Sequence, residues 1–476
     1  MTAAPAWAGS IAQPAAEFPL TPLPILSGQL PAGLRGSLYR NGPGRLGRGG
    51  MSVGHWFDGD GAILAVHFGE TGAQATYRYV QTSGYLAESE AGELLYGNYG
   101  MKAPGAFWNQ WLRSIKNVAN TSVIALDDRL LALWEGGNPH AIDLHSLKTI
   151  GVDNLDGLEP TWGYSAHPKQ DSQTGEWFNF GVSPGVNAVL HLYRSAPNGK
   201  ILQKGEITLD GVPLVHDFAI AGSYLVFCVP PVRLNAIPVL LGMSSFSDAL
   251  EWKPNLGTQI LVVDRHTLTL VSRSEAPAWY QWHFGHAEID RDGQIALTMV
   301  RYADFATNQY LQEVATGETR TKAPGALWRL CIEPHTGKLR SQEVLLDRPC
   351  EFPVTQIAPN ANPLTYLTLH RSNADVQRDV FGCIGRLNLN TGELVEADCG
   401  ENRYPSEALF AADMLDPAQT WVLSLVYDGR LDKSEVWIWD DNRLGAEPIC
   451  RLGLPEKIPL GFHGTWQPDR SSHMKL

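Results

Sequence analysis

The chain has 476 residues, a formal net charge of −13, 44% hydrophobic residues, 47 glycines and 31 prolines. So acidic a chain, without a large Lys/Arg cluster, has nothing with which to neutralise a run of phosphates, which argues against nucleic-acid binding, and no apolar stretch is long enough to span a bilayer. Abundant Gly and Pro with little helical periodicity predict a single all-β domain of short strands and tight turns over residues 1–476.

In chain order, residues 1–30 come first. They lack a basic start, and Pro5, Pro14 and Pro19 interrupt their apolar runs. This reads as a disordered or wrapping arm and not as a signal peptide, so a cytoplasmic protein is expected. Two apolar segments follow. Met101 to Ile115 carries Phe107, Trp108, Trp111 and Leu112, and Pro230 to Leu250 contains Ala236-Ile237-Pro238-Val239-Leu240-Leu241-Gly242-Met243. Each is either a set of buried helices or an exposed patch that dips into one leaflet, which would give peripheral membrane contact. Residues 467–476 form a polar tail.

From residue 142 a phrase recurs: an apolar strand ends in an acid or amide, and Ser, Thr or a turn follows three residues on. It is present at Asp143 with Ser146, Asp264 with Thr267, Glu333 with Thr336 and Asn388 with Thr391, and more loosely at Asp440. Starts differ by 121, 69, 55 and 52 residues, one or two units of about 60, as in β-propeller blades. A chain of this length then holds about seven blades.

Four histidines, His167, His216, His283 and His463, each sit in a short phrase rich in Pro, Gly or aromatics, and their gaps are 49, 67 and 180 residues, about one, one and three units. The innermost strands of a propeller face one axis, so four histidines at equivalent blade positions would converge there. A lone histidine in a β protein is more often structural. His145, His266 and His335 lie in polar turns and His473 in the tail, and they take that ordinary role. Six cysteines without a CxxC pair read as free thiols, so the ligand field would be imidazole alone, which suits Fe, Cu, Zn or Ni about equally.

From about Leu30 to Trp466 the chain resembles the carotenoid cleavage oxygenases. The likeness is carried by Leu34-Arg35-Gly36-Ser37-Leu38-Tyr39-Arg40-Asn41-Gly42-Pro43-Gly44, Trp56-Phe57-Asp58-Gly59-Asp60-Gly61, Lys116-Asn117-Val118-Ala119-Asn120-Thr121, Leu133-Trp134-Glu135-Gly136-Gly137 and the four histidine phrases in order. The resemblance implies a seven-bladed β-propeller with a helical and loop dome over one face, and a non-haem Fe(II) held by His167, His216, His283 and His463. It implies oxidative scission of a C=C bond by O2 into two carbonyl products, with no organic cosubstrate. Val80 to Tyr85 and Leu131 to His140 resemble members that cut the central 15,15′ bond of apocarotenals to give retinal.

The same resemblance implies an outer shell in which Glu135 holds His216, Glu351 holds His283 and Glu407 holds His463, with His167 lacking a carboxylate. This makes physical sense, since a ligating imidazole needs its second N–H oriented. Thr121 would crowd the sixth coordination position, and Phe57, Trp134, Trp282, Tyr302 and Phe352 would line the substrate tunnel. Two departures stand out: His286 replaces the usual Asn after the third ligand and is expected to be an outer donor, and the turn after Glu407 is shortened. The alternatives are a stilbene-cleaving relative and a propeller that has lost its iron and only binds.

Overall fold

The computed structural model describes residues 4–106, 108–356 and 363–469. Phe107, His473 and most of the polar tail lie outside these residues. Seven antiparallel sheets of four to six strands form the blades of a propeller. Their innermost strands are, in chain order, Ser122–Ala125, Lys169–Gln170, Ala219–Ala221, Tyr280–Ile289, Cys350–Gln356, Leu409–Ala412 and Gly464–Pro468. We number the blade closed by Gly464–Pro468 as blade 1 and the others 2 to 7 in chain order.

Each sheet is buried on both faces, and the strands read accordingly. Ile260-Leu261-Val262-Val263 is a continuous apolar run with all four side chains at 0% exposure. Alternation at period two then sends the residues to opposite neighbours: Leu261 and Val263 pack with Phe178, Phe180 and Leu190 of blade 3, Ile260 and Val262 with Phe284, Leu297 and Leu330 of blade 5. Equivalent clusters fill the remaining interfaces, including the one between blades 7 and 1.

Within a blade the strands run alternately down and up the axis, so the start of the innermost strand and the connection from second to third strand share one end. The long second-to-third connections gather there: 46–59 in blade 1, 230–257 in blade 4, 303–325 in blade 5 and 370–382 in blade 6. They carry the short helices Ala236–Leu240 and Ala306–Val314. The turns between third and outermost strands lie at the opposite end, and these are the recurring phrase of the sequence. Asp143 Oδ1 accepts from the Ser146 N–H at 2.7 Å, Asp264 Oδ1 from Thr267 at 2.8 Å and Asn388 Oδ1 from Thr391 at 3.1 Å, each closing a side-chain turn.

Two termini close the ring. Gly464–Pro468 pairs antiparallel with Gly36–Arg45 to complete blade 1, which leaves no open seam between the first and last blades. The arm wraps the body: Phe18–Pro22 adds a strand to blade 1, Ile25–Gly28 adds one to blade 7, and Trp7 is fully buried with its indole N–H donating to the Arg378 carbonyl at 2.9 Å. No described helix is long and apolar enough to cross a membrane.

Candidate active site

One residue from each blade reaches the axis at or near the start of its innermost strand: Thr121, His167, His216, His283, Glu351, Glu407 and His463. Two of these strands are irregular there. The pairing of Tyr280–Ile289 slips between Gln281 and Phe284, around His283, and that of Cys350–Gln356 slips between Glu351 and Val354, where Phe352 adopts a left-handed φ of 55°. Such bulges re-aim side chains off the regular pleat. A left-handed non-glycine residue is strained, and here it turns the Phe352 ring onto His283 at a centroid distance of 5.4 Å.

The four imidazoles form a tight cage, with ring centroids 4.4 to 5.1 Å apart between neighbours. Nε2 of His216 lies 3.0 Å from Nε2 of His167 and 3.3 Å from Nε2 of His283. His283 Nδ1 meets Glu351 Oε2 at 2.6 Å, His463 Nδ1 meets Glu407 Oε1 at 2.9 Å, and His216 Nδ1 abuts Glu135 Oε1. A carboxylate only accepts, so Nδ1 of His283 and of His463 carries the proton and each Nε2 presents a lone pair, and the Glu135 carboxylate against His216 Nδ1 favours the same tautomer there. As neutral rings His216 and His283 therefore point two lone pairs at each other, an arrangement that is repulsive unless a cation sits between them. Two ligands about 2.1 Å from one ion and at right angles to each other are about 3.0 Å apart. The donor set thus fits a metal ion bound by four nitrogens. No carboxylate hydrogen-bonds to His167 among the described residues.

Burial, with His216, His463 and His283 nearby, holds His167 well below the usual imidazole range. Burial also lowers His463 despite Glu407, whereas at His283 burial is outweighed by the charge and hydrogen bond of Glu351 together with Asp217 and Glu407, and the pKa is raised. The carboxylates are themselves fixed. Tyr302 donates its hydroxyl to Glu351 Oε1 at 2.9 Å, so a residue expected only in the tunnel wall also orients an outer carboxylate. Arg40, 4% exposed, donates to Glu407 Oε2 at 3.0 Å and to the Phe462 carbonyl at 2.8 Å. In the sequence Arg40 stands only as one residue of the phrase Leu34 to Gly44, and nothing local marks its partner. Glu135→Gln, which keeps shape but weakens the hold on His216, is expected to lower metal affinity or turnover about 10- to 100-fold. Metal titration of the apo variant measures this.

A pocket opens from the cage toward the helical end, and Phe57, Thr121, Trp282, Tyr302 and Phe352 line it. Thr121 Oγ1 donates to Asn120 Oδ1 at 3.0 Å, and Asn120 Nδ2 donates to the Phe57 and Gly59 carbonyls. Asn120, fully buried, so ties Thr121 to the Phe57 turn. Trp134 is not in this pocket. It lies in the connection after Leu130–Leu133, next to Glu135, and alternation turns its ring the other way, over Gly136 and into a separate surface cleft shared with Ile115 and Val152. His286 faces a second, more polar cavity on the opposite side of the cage, within reach of Glu288 at 3.4 Å.

Residues 11–468 match the family model for retinal pigment epithelial membrane protein. The chain is 32% identical to the apocarotenoid-15,15'-oxygenase of Synechocystis sp., over 93% of this chain and 92% of that one. The chain belongs to the carotenoid cleavage oxygenase family. This carotenoid cleavage oxygenase is also 24% identical to resveratrol cleavage oxygenase 1 of Aspergillus fumigatus, with 93% and 91% covered. Its fold matches that of the cobalt-substituted apocarotenoid oxygenase of Synechocystis with a TM-score of 0.86, 29% identity and 98% of each chain covered.

Proposed function

We propose that the chain is a non-haem Fe(II) dioxygenase that cleaves the central 15,15′ double bond of an apocarotenal to give retinal. The observation that carries this reading is the pairing of an all-imidazole metal cage with an apolar pocket ending on it, together with the likeness to an apocarotenoid-15,15'-oxygenase. His167, His216, His283 and His463 would hold a divalent ion through four neutral nitrogens without cancelling its charge, and such an ion would supply the site for activating O2. Both oxygen atoms of O2 enter the two carbonyl products, so the reaction balances without an organic reductant. The residues of the chain would confine the olefin: Trp282 and Phe352 stand against His216 and His283 at 4.8 and 5.4 Å, and Thr121, in the same pocket wall, would narrow access to the ion. Incubating iron-loaded protein with apocarotenals, full-length β-carotene and resveratrol, and identifying the aldehydes formed, tests the reading. Resveratrol cleaved in preference to every apocarotenal would overturn it in favour of stilbene cleavage.

Delivery of so apolar a substrate is a part of the same proposal. Ile237, Leu240, Leu241 and Met243 are 58–70% exposed, and Trp111 donates its indole N–H to the Leu240 carbonyl at 2.7 Å, which brings the exposed Trp108, Trp111 and Leu112 beside them. The two apolar segments make one surface, suited to peripheral contact with a lipid leaflet. Leu240→Lys/Leu241→Lys is expected to fold, because both side chains are exposed, and to lose about 1.5–3 kcal/mol of membrane affinity for each side chain if fully inserted. Liposome co-sedimentation measures it, while turnover of detergent-dispersed substrate should change little.

A further inference from the structure

The wall of the pocket is apolar, and its hydroxyls are already engaged. Tyr302 and Thr121 donate to Glu351 and Asn120, Tyr310 donates to the Asp379 carbonyl at 3.2 Å, and Thr307 accepts from the Trp282 indole at 3.0 Å. His370 is different. It follows the strand Leu364–Leu369, is 6% exposed and lines the pocket, yet its Nδ1 is enclosed with no hydrogen-bond partner among the described residues. Its ring meets Phe381 edge-on at 4.8 Å, Phe381 lies 6.2 Å from Phe352, and Phe352 stacks on His283, so three ring contacts lie between His370 and a metal ligand. Burial, with a smaller push from Arg348, lowers its pKa to about 4, so the ring is neutral and offers one N–H and one lone pair. Enclosing that nitrogen without a partner is unfavourable, and a ligand atom that pairs with it removes the penalty.

We propose that His370 is an end-group subsite, hydrogen-bonding an oxygen at the terminus of a linear olefinic substrate, either a carbonyl or a hydroxyl. The proposal rests on the cleavage reaction proposed above and adds what the substrate must carry. Because the contact is remote from the cage, it sets register: anchoring the oxygen at a fixed distance decides which double bond lies over the ion. The Trp56 indole N–H is a second unpaired group in the wall. It packs on Phe462 at 4.5 Å, beside His463, and so lies at the metal end, and it can only donate.

The test is equilibrium binding to the anaerobic iron-loaded protein, followed by quenching of tryptophan fluorescence. The probes are an apocarotenal, the apocarotenol and the hydrocarbon of equal length, and the apocarotenal with a ring hydroxyl. The parent is expected to favour oxygen-bearing polyenes over the hydrocarbon about ten-fold, and the arm that carries the preference identifies which end His370 holds. His370→Phe, or His370→Leu as a smaller replacement, should abolish the preference with iron content and thermal midpoint kept. His370→Gln should retain part of it. In turnover the apolar variants should raise KM more than they lower kcat and should broaden the set of products. A parent without the preference, a preference that survives both apolar replacements, or its loss in Trp56→Phe alone would overturn the subsite. A parent that shows the preference but cleaves no apocarotenal would refute the reaction and leave the subsite standing.

Discussion

His283→Ala is expected to strip the protein of metal and of all turnover. His283 Nε2 is one corner of a cage whose other corners come from blades 1, 3 and 4, and among the described residues no other imidazole is placed to replace it, since His286 faces the cavity on the far side. Removing the ring also leaves Glu351, buried at 5% exposure, with only the Phe352 N–H and the Tyr302 hydroxyl as donors and without its imidazole partner, which adds a less compensated buried charge to the lost ligand. The same loss is expected for alanine at His167, His216 or His463. Metal analysis of purified variants decides the matter: a His216→Ala protein with full metal and full turnover would mean that the cage is not the metal site, and His286→Ala without metal beside a loaded His283→Ala would place the ligand at the wrong histidine of that phrase.

Arg40→Leu is expected to have the largest effect on stability. The Arg40–Glu407 pair is buried on both sides, 4% and 8% exposed, and Glu407 is held below the usual carboxylate range against burial by His463 and Arg40. Removing one member of such a pair typically costs about 3–5 kcal/mol, because the other is left charged and enclosed. Denaturant unfolding measures the loss. Metal retention should fall as well, since Glu407 then loses the donor that aims its second oxygen at His463. The double variant Arg40→Leu/Glu407→Leu should recover part of the stability but not the metal, as His463 Nδ1 is left without an acceptor. An Arg40→Leu protein as stable as the parent would contradict the reading of this pair.

Propeller architecture could be read in advance because it is written in short-range chemistry repeated at intervals. An Asp or Asn capping a turn three residues on, as at Asp143, Asp264 and Asn388, works through its own neighbours, so the pattern survives in the bare sequence. Convergence of the histidines followed from spacing because each sits close to the start of an innermost strand. The direction of side chains was another matter. Trp134 stands one residue from Glu135 and was expected in the tunnel, but adjacent residues of an extended segment face opposite ways, and only the fold shows which of the two faces the cage. The left-handed turn at Phe352, the grip of Arg40 on Glu407 across 367 residues and the unpaired Nδ1 of His370 are all products of long-range packing. No local pattern announces them.

His463 lies immediately before the strand that seals the ring against Gly36–Arg45. An ion shared by His463 with His167, His216 and His283 therefore works as a clasp, fastening the last-formed edge of the circle to blades 3, 4 and 5. Prising blade 1 open and releasing the ion become a single event, and the free energy of metal binding is added to the work of opening the circle. Demetallation would then loosen first the seam where the two ends of the chain meet, before any blade loses its own strands.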